Sequence, residues 1–154
     1  MLKNRFAALF GSLAIATAMS VAAQAAGPES KVVADGLDNP SGVAVQPGTG
    51  HVFIASHTGI HRLDPKSGKL TAEVTGYPDP TDVYGKGPKY AIGPLGLSFL
   101  DQNTLVVGGG SRVDGEELVR IFKVGDEPAA SPQMESKAAQ TLGPIPASDQ
   151  TIKG

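Results

Sequence analysis

The side chains able to do chemistry fall into a few short stretches, and each admits a definite kind of site. His51, His57 and His61 are the three histidines. On a helix His57 and His61 would share a face and offer two imidazoles to zinc or iron. On strands they flank a tight turn as cross-strand residues, with no carboxylate pair beside them. Gly108-Gly109-Gly110-Ser111 has the composition of a phosphate-cradling loop. Such a loop needs a helix N-terminus behind it and usually a lysine, whereas Arg112-Val113-Asp114-Gly115-Glu116-Glu117 follows here. Asp114-Gly115 is a hairpin signal, and Asp114, Glu116 and Glu117 lack the dense oxygen-ligand spacing of a calcium loop. Ser41, Ser56 and Ser98 stand in strand-like patterns with no nucleophile elbow. These patterns yield no catalytic residue, no metal and no cofactor.

One stretch is suited to recognition. Tyr77 to Tyr90 gathers all three tyrosines with Lys86 and Lys89 among prolines and glycines. Tyrosine offers a broad apolar face and one hydroxyl at low entropic cost, which suits a surface that grips a ligand. The same residues also suit a long connection whose tyrosines cover its own small core. The ligand-binding set expected from the sequence is His57, Tyr77, Tyr84, Lys86, Lys89, Tyr90, Arg112 and Asp114.

The elements that carry these residues show up as a repeat. Asn39-Pro40-Ser41-Gly42-Val43-Ala44-Val45 aligns with Gly93-Pro94-Leu95-Gly96-Leu97-Ser98-Phe99, and Val52–Ser56 and Ile60–Leu63 align with Thr104–Gly108 and Val119–Phe122. The period is about fifty residues, in the range of stacked supersecondary units. Each unit reads as a four-stranded antiparallel meander with Pro and Gly at its turns. In the first unit the strands are Gly42–Val45, His51–Ser56, Gly59–Leu63 and Leu70–Thr75. In the second they are Gly96–Leu100, Thr104–Gly108, Leu118–Lys123 and Ser136–Leu142. Ser30–Leu37 resembles Ser136–Leu142 and is expected to be a lone outer strand that closes a ring. The expected layout is a blade over 40–76, an insertion over 77–93, a blade over 94–142 and a tail over 143–154. In such a meander the connections at His57, at 77–93 and at 109–117 leave the sheets at one end, while Gly48, Lys66 and Gln102 mark the other.

Pro-Ser-Gly-Val-Ala-Val at 40–45, His-Val-Phe-Ile-Ala-Ser at 51–56 and Gly-Ile-His-Arg-Leu-Asp at 59–64 resemble the repeat of NHL-type β-propellers, and more loosely the gluconolactonase and senescence-marker family. The likeness runs from about Val32 to Val124. It implies an all-β, propeller-like fold of about two blades plus the closing strand. The gluconolactonase-like relatives hold a divalent cation in the central channel with Glu, Asn and Asp from separate blades. The matching positions here are Asp38-Asn39 and Ile92-Gly93, so the second unit brings no ligand. Two blades are fewer than the four of a closed propeller. The expectation is an amino-terminal portion of a longer propeller, or short chains that associate to complete the ring.

The amino terminus sets the compartment. Lys3 and Arg5 precede an uncharged apolar stretch from Phe6 to Ala23, and Ala23-Gln24-Ala25 places small residues where signal peptidase reads. A helical signal peptide over 1–25, cut between Ala25 and Ala26, makes the protein periplasmic or secreted, with no stable membrane insertion afterwards. Losing Lys3 and Arg5 leaves eleven basic residues against fifteen acidic ones. With no basic run, nucleic acid is excluded as a partner. Zero cysteines exclude disulfides and thiolate chemistry. The function expected is an exported, non-enzymatic binding or scaffold module for a protein, peptide or carbohydrate. The alternatives are a metal-dependent lactonase-like hydrolase or the propeller portion of a periplasmic dehydrogenase.

Overall fold

Period-two alternation in Gly42-Val43-Ala44-Val45 and Val52-Phe53-Ile54-Ala55-Ser56 calls for extended chain, and the glycines between them call for a reversal. The computed structural model describes residues 29–78, 92–109 and 115–146. In it these stretches are β1 (Gly42–Val45) and β2 (Val52–Ser56), followed by β3 (Gly59–Leu63) and β4 (Leu70–Thr75). Then come β5 (Pro94–Asp101), β6 (Thr104–Gly109), β7 (Glu117–Lys123), β8 (Gln133–Met134), one turn of 3-10 helix at Glu135–Lys137, and β9 (Gln140–Ile145). The chain divides into Met1–Lys31 and Val32–Gly154, and every one of these elements belongs to the second unit. Among the described residues the fold is all-β, and no helix is long and apolar enough to cross a membrane. The signal peptide expected over 1–25, with its cut at Ala25-Ala26, lies outside the described residues.

The strands form two sheets, ordered β1-β2-β3-β4-β8 and β5-β6-β7-β9. All pairings are antiparallel except that of β8 with β4. The two meanders and the strands of the first unit follow the repeat. Four details depart from it, the first being that β8 adds a fifth, parallel strand to the sheet expected as a four-stranded antiparallel meander. Ser30–Leu37 forms no strand: residues 29–41 carry no ladder, and Val32 and Val33 are 77% and 66% exposed. A strand exists only by pairing, and the outer edge of the first sheet is taken by β8. The last strand of the second sheet begins at Gln140 rather than Ser136, because Glu135–Lys137 turns to bury Glu135 beside Arg120. It also runs on to Ile145, three residues into the expected tail.

The sheets meet face to face. Pairing Ala44 with Phe53 and Phe53 with Arg62 puts these side chains on one face of the first sheet. Leu97, Phe99, Leu105, Val107 and Phe122 form the facing surface of the second. Phe53 and Phe99 meet edge to face, with ring centroids 5.0 Å apart. At the β1–β5 seam the backbones approach so closely that a Cβ on Gly42 would lie 2.3 Å from the Leu95 carbonyl oxygen. Gly93 is equally tight, its virtual Cβ 2.3 Å from the His57 carbonyl oxygen.

Polar contacts lock this seam. Ser41 Oγ donates to the Pro94 carbonyl at 2.7 Å. Gln46 is fully buried, and its Nε2 donates to the Gln102 carbonyl at 2.8 Å and the Gly125 carbonyl at 3.0 Å. Its Oε1 accepts from Thr49 Oγ1 at 2.9 Å, so the amide is satisfied on both sides. The segment between β7 and β9 adds a second link, since it lends β8 to the first sheet while Gln133 Nε2 donates to the Lys123 carbonyl at 2.8 Å.

Gly42→Ala should destabilise the protein by about 1–3 kcal/mol, the range for forcing an extra carbon into a packed interior. Gly96→Ala is the control, because no atom lies within 4 Å of its virtual Cβ, and it should stay within about 0.5 kcal/mol. Urea denaturation checks both, and a Gly42→Ala protein as stable as the parent contradicts the close seam.

Candidate functional site

The meander sends the β2–β3 turn, the end of β4, the start of β5 and the β6–β7 connection to one end of the sheets. His57 sits there, in the β2–β3 turn. Its Nδ1 lies 3.0 Å from Asp38 Oδ2, and its backbone N–H donates to the Asp38 carbonyl at 2.9 Å. The same carbonyl accepts from Ser56 Oγ at 2.6 Å, so the chain entering β1 is tied to the turn by three bonds. Asn39 beside it has a φ of 47°, a left-handed conformation that Asn tolerates better than most residues. Asn39, Ser41, His57, Ile92, Gly93 and Leu95 line a shallow cleft of about 50 Å³.

Of the expected ligand-binding residues, the structure places two. His57 is at this end, half-buried. Tyr77 is just beyond β4 at the same end, but it is only 6% exposed and belongs to the core, with the Arg120 guanidinium 5.7 Å from its ring centroid. Its ring therefore packs rather than presenting a surface. Arg120 in turn pairs with Glu135, both nearly buried. Tyr84, Lys86, Lys89, Tyr90, Arg112 and Asp114 lie outside the described residues. The residues that flank them, Tyr77 and Ile92, and Gly109 and Gly115, are all at the His57 end. The histidines are dispersed: His51 and His57 sit at opposite ends of β2, and His61 pairs with Ile54 on the face away from the second sheet. Partial burial holds the His61 imidazole below its ordinary pKa. No group of three His, Cys, Asp or Glu able to hold a metal occurs among the described residues.

A second polar site lies at the opposite end, where sequence patterns gave no warning. Arg62 and Glu73 form a salt bridge of 2.9 Å with side chains only 1% and 2% exposed. The Arg62 guanidinium also stands 4.7 Å from the Phe53 ring centroid. A register shift between Ile60 and His61 explains how Glu73 reaches it. Regular alternation would put Val74 and Glu73 on opposite faces, whereas the bulge lets both turn toward the second sheet. One signal was available: Arg62 shares the strand parity of buried Ile60. His51, Arg62, Asp64, Lys69, Thr71 and Glu127 line a pocket of about 120 Å³ here. No family model, no curated protein and no solved structure matches the chain.

Electrostatics at this end pull in two directions. Burial pushes the Glu73 carboxyl above its ordinary pKa, against the opposing attraction of Arg62. Asp64, Asp101 and Asp126 are held below theirs, chiefly by side-chain hydrogen bonds from Ser67, Thr104 and Gln102. A carboxyl raised in the folded state binds protons more readily there than in the unfolded chain, so its contribution to stability grows as pH falls toward the ordinary glutamate value. The aspartates act the other way: their contribution is present above the ordinary aspartate value and is lost as pH falls through their lowered values. Glu73→Gln removes only the first effect. The stability gap between parent and variant should widen as pH falls from 7 to about 4.5. Urea titrations at several pH values measure it, and a gap that stays constant or narrows contradicts the raised carboxyl.

Proposed function

We propose that the chain is an exported, non-enzymatic binding module of propeller type, which captures a protein, peptide or carbohydrate at the His57 end. The observation that carries this reading is the anchoring of the tyrosine- and lysine-rich insertion. It leaves the sheets at Tyr77, whose ring is fixed in the core, and returns at Gly93, which is pressed against the His57 carbonyl. The stretch of sequence that carries Tyr84, Lys86, Lys89 and Tyr90 thus begins and ends at one end of the sheets, where a scaffold presents recognition loops. β6 ends and β7 begins at that same end, on either side of Arg112 and Asp114 in the sequence.

The propeller reading is supported by how the sheets stack and by what their outward faces carry. β1 and β5, the first strands of the two meanders, lie against each other, as the innermost strands of neighbouring blades do. Val43 and Val45, on the face of the first sheet away from the second, are 64% and 59% exposed. Leu142, on the outward face of the second sheet, is 43% exposed. Apolar residues on both outward faces suit further blades, or further copies, stacked on either side. The amino-terminal leader supplies the route of export.

Panning a display library of random dodecapeptides on the exported protein, alongside a glycan array, tests the capture surface. Binders recovered in this way should lose about 1–3 kcal/mol of affinity for the Tyr84→Ala, Tyr90→Ala double variant, the scale for truncating aromatic anchors. Lys66→Ala, at the opposite end, should leave them unchanged. A double variant that binds like the parent contradicts the site.

A further inference from the structure

At the end of the sheets away from His57, the pocket beside Arg62 is built from β2, β3, the β3–β4 turn and the segment after β7. Arg62 lines it while only 1% exposed, and of its three guanidinium nitrogens only Nη2 has a partner, Glu73 Oε1. Nε and Nη1 are buried without hydrogen-bond partners, and so are Glu73 Oε2 and His51 Nδ1. Buried donors and acceptors are costly to leave unmade, and native interiors leave few of them so. Arg62 and His51, which line the pocket, therefore have unused hydrogen-bonding capacity beside the lining carboxylates Asp64 and Glu127.

The charge balance narrows what fits. Arg62 and Lys69 face Asp64 and Glu127 in the lining, and Glu73 is bonded to Arg62. No excess of positive charge remains to hold an anion, and Glu73 is already committed to the Arg62 guanidinium. A hydroxyl group both donates and accepts, so neighbouring hydroxyls on one molecule can meet the guanidinium and the carboxylates together. The Thr71 hydroxyl, which donates to the Arg62 carbonyl at 3.3 Å, adds an acceptor. We propose that this pocket binds a small neutral polyhydroxylated molecule, in the class of a single sugar ring that inserts its hydroxyl edge. At about 120 Å³ the pocket takes one such edge, with Lys69 and Glu127 on the exposed rim.

Titration of the full exported chain, ¹⁵N-labelled, with D-xylose tests the assignment, with acetate and inorganic phosphate at equal ionic strength as comparisons. Xylose should give saturable shifts centred on the amides of His51, Arg62, Asp64 and Lys69, and the two anions should give none. Arg62→Ala would strand Glu73 as a buried unpaired charge and so would report folding rather than binding. Lys69→Met and Glu127→Gln are exposed substitutions that should keep the melting temperature, and each should weaken xylose binding about fivefold, the loss of one ordinary hydrogen bond. Tyr84→Ala with Tyr90→Ala should leave the xylose shifts unchanged, which separates this site from the one at the His57 end. Xylose that shifts none of these amides, acetate or phosphate that saturates them, or xylose affinity indifferent to both rim substitutions overturns the assignment.

Discussion

The closeness of two backbones, at Gly42 against Leu95 and at Gly93 against His57, is the constraint on which the other contacts depend. Only residues without a Cβ allow the first strands of the two meanders to approach so far. Once they do, Phe53 and Phe99 reach edge-to-face contact and the core closes around them. The buried Gln46 amide then has two carbonyls of the second sheet within reach, and spends both its N–H donors on them. A larger residue at either glycine would part the sheets and leave that amide, together with the Gln102 and Gly125 carbonyls, short of partners.

Sheet-on-sheet packing of this kind creates two distinct ends. At one, the chain enters each meander and the long connections depart, held by the Asp38, His57 and Ser56 bonds. At the other, tight turns built on Asp64 and Asp101 keep the strands in register: Asp64 accepts from Lys66 N–H at 2.8 Å and Asp101 from Asn103 N–H at 2.8 Å. The first end is where the chain leaves the sheets after Tyr77 and after Gly109. The second is compact and polar, and holds the buried Arg62–Glu73 pair. Removing either partner of such a pair costs far more than the pair contributes to stability, because a lone charge would be left in the interior.

Strand identity in the first meander was legible because every element there is local. Gly42–Val45, Val52–Ser56 and Gly59–Leu63 alternate cleanly, and Pro and Gly punctuate them. The second meander was legible down to Lys123. Beyond it the chain obeys tertiary contacts that no local pattern announces: Gln133–Met134 pairs in parallel with β4, and Glu135 turns inward to Arg120. Ser30–Leu37 has the composition of a strand but pairs with none among the described residues, and β8 takes the edge beside β4. Tyr77 was grouped with a surface loop by its neighbours in sequence, yet it is the last core residue of the first meander. The Arg62 pocket was hidden for a related reason, since Glu73 reaches Arg62 only through a bulge and Glu127 comes from the connection after β7.

The central claim is that the two sheets form a single cooperative body, joined by the glycine seam, the Gln46 clasp and the exchanged β8 strand. Native-state hydrogen exchange measures this most directly, because it reports the free energy at which each strand opens. Amides of Phe53 and Ile60 in the first sheet and of Leu105 and Phe122 in the second should open with one common free energy, equal to that of global unfolding, and should fall together in Gly42→Ala. Two separate values, with one sheet opening well below the other and Gly42→Ala affecting only the first, would contradict it.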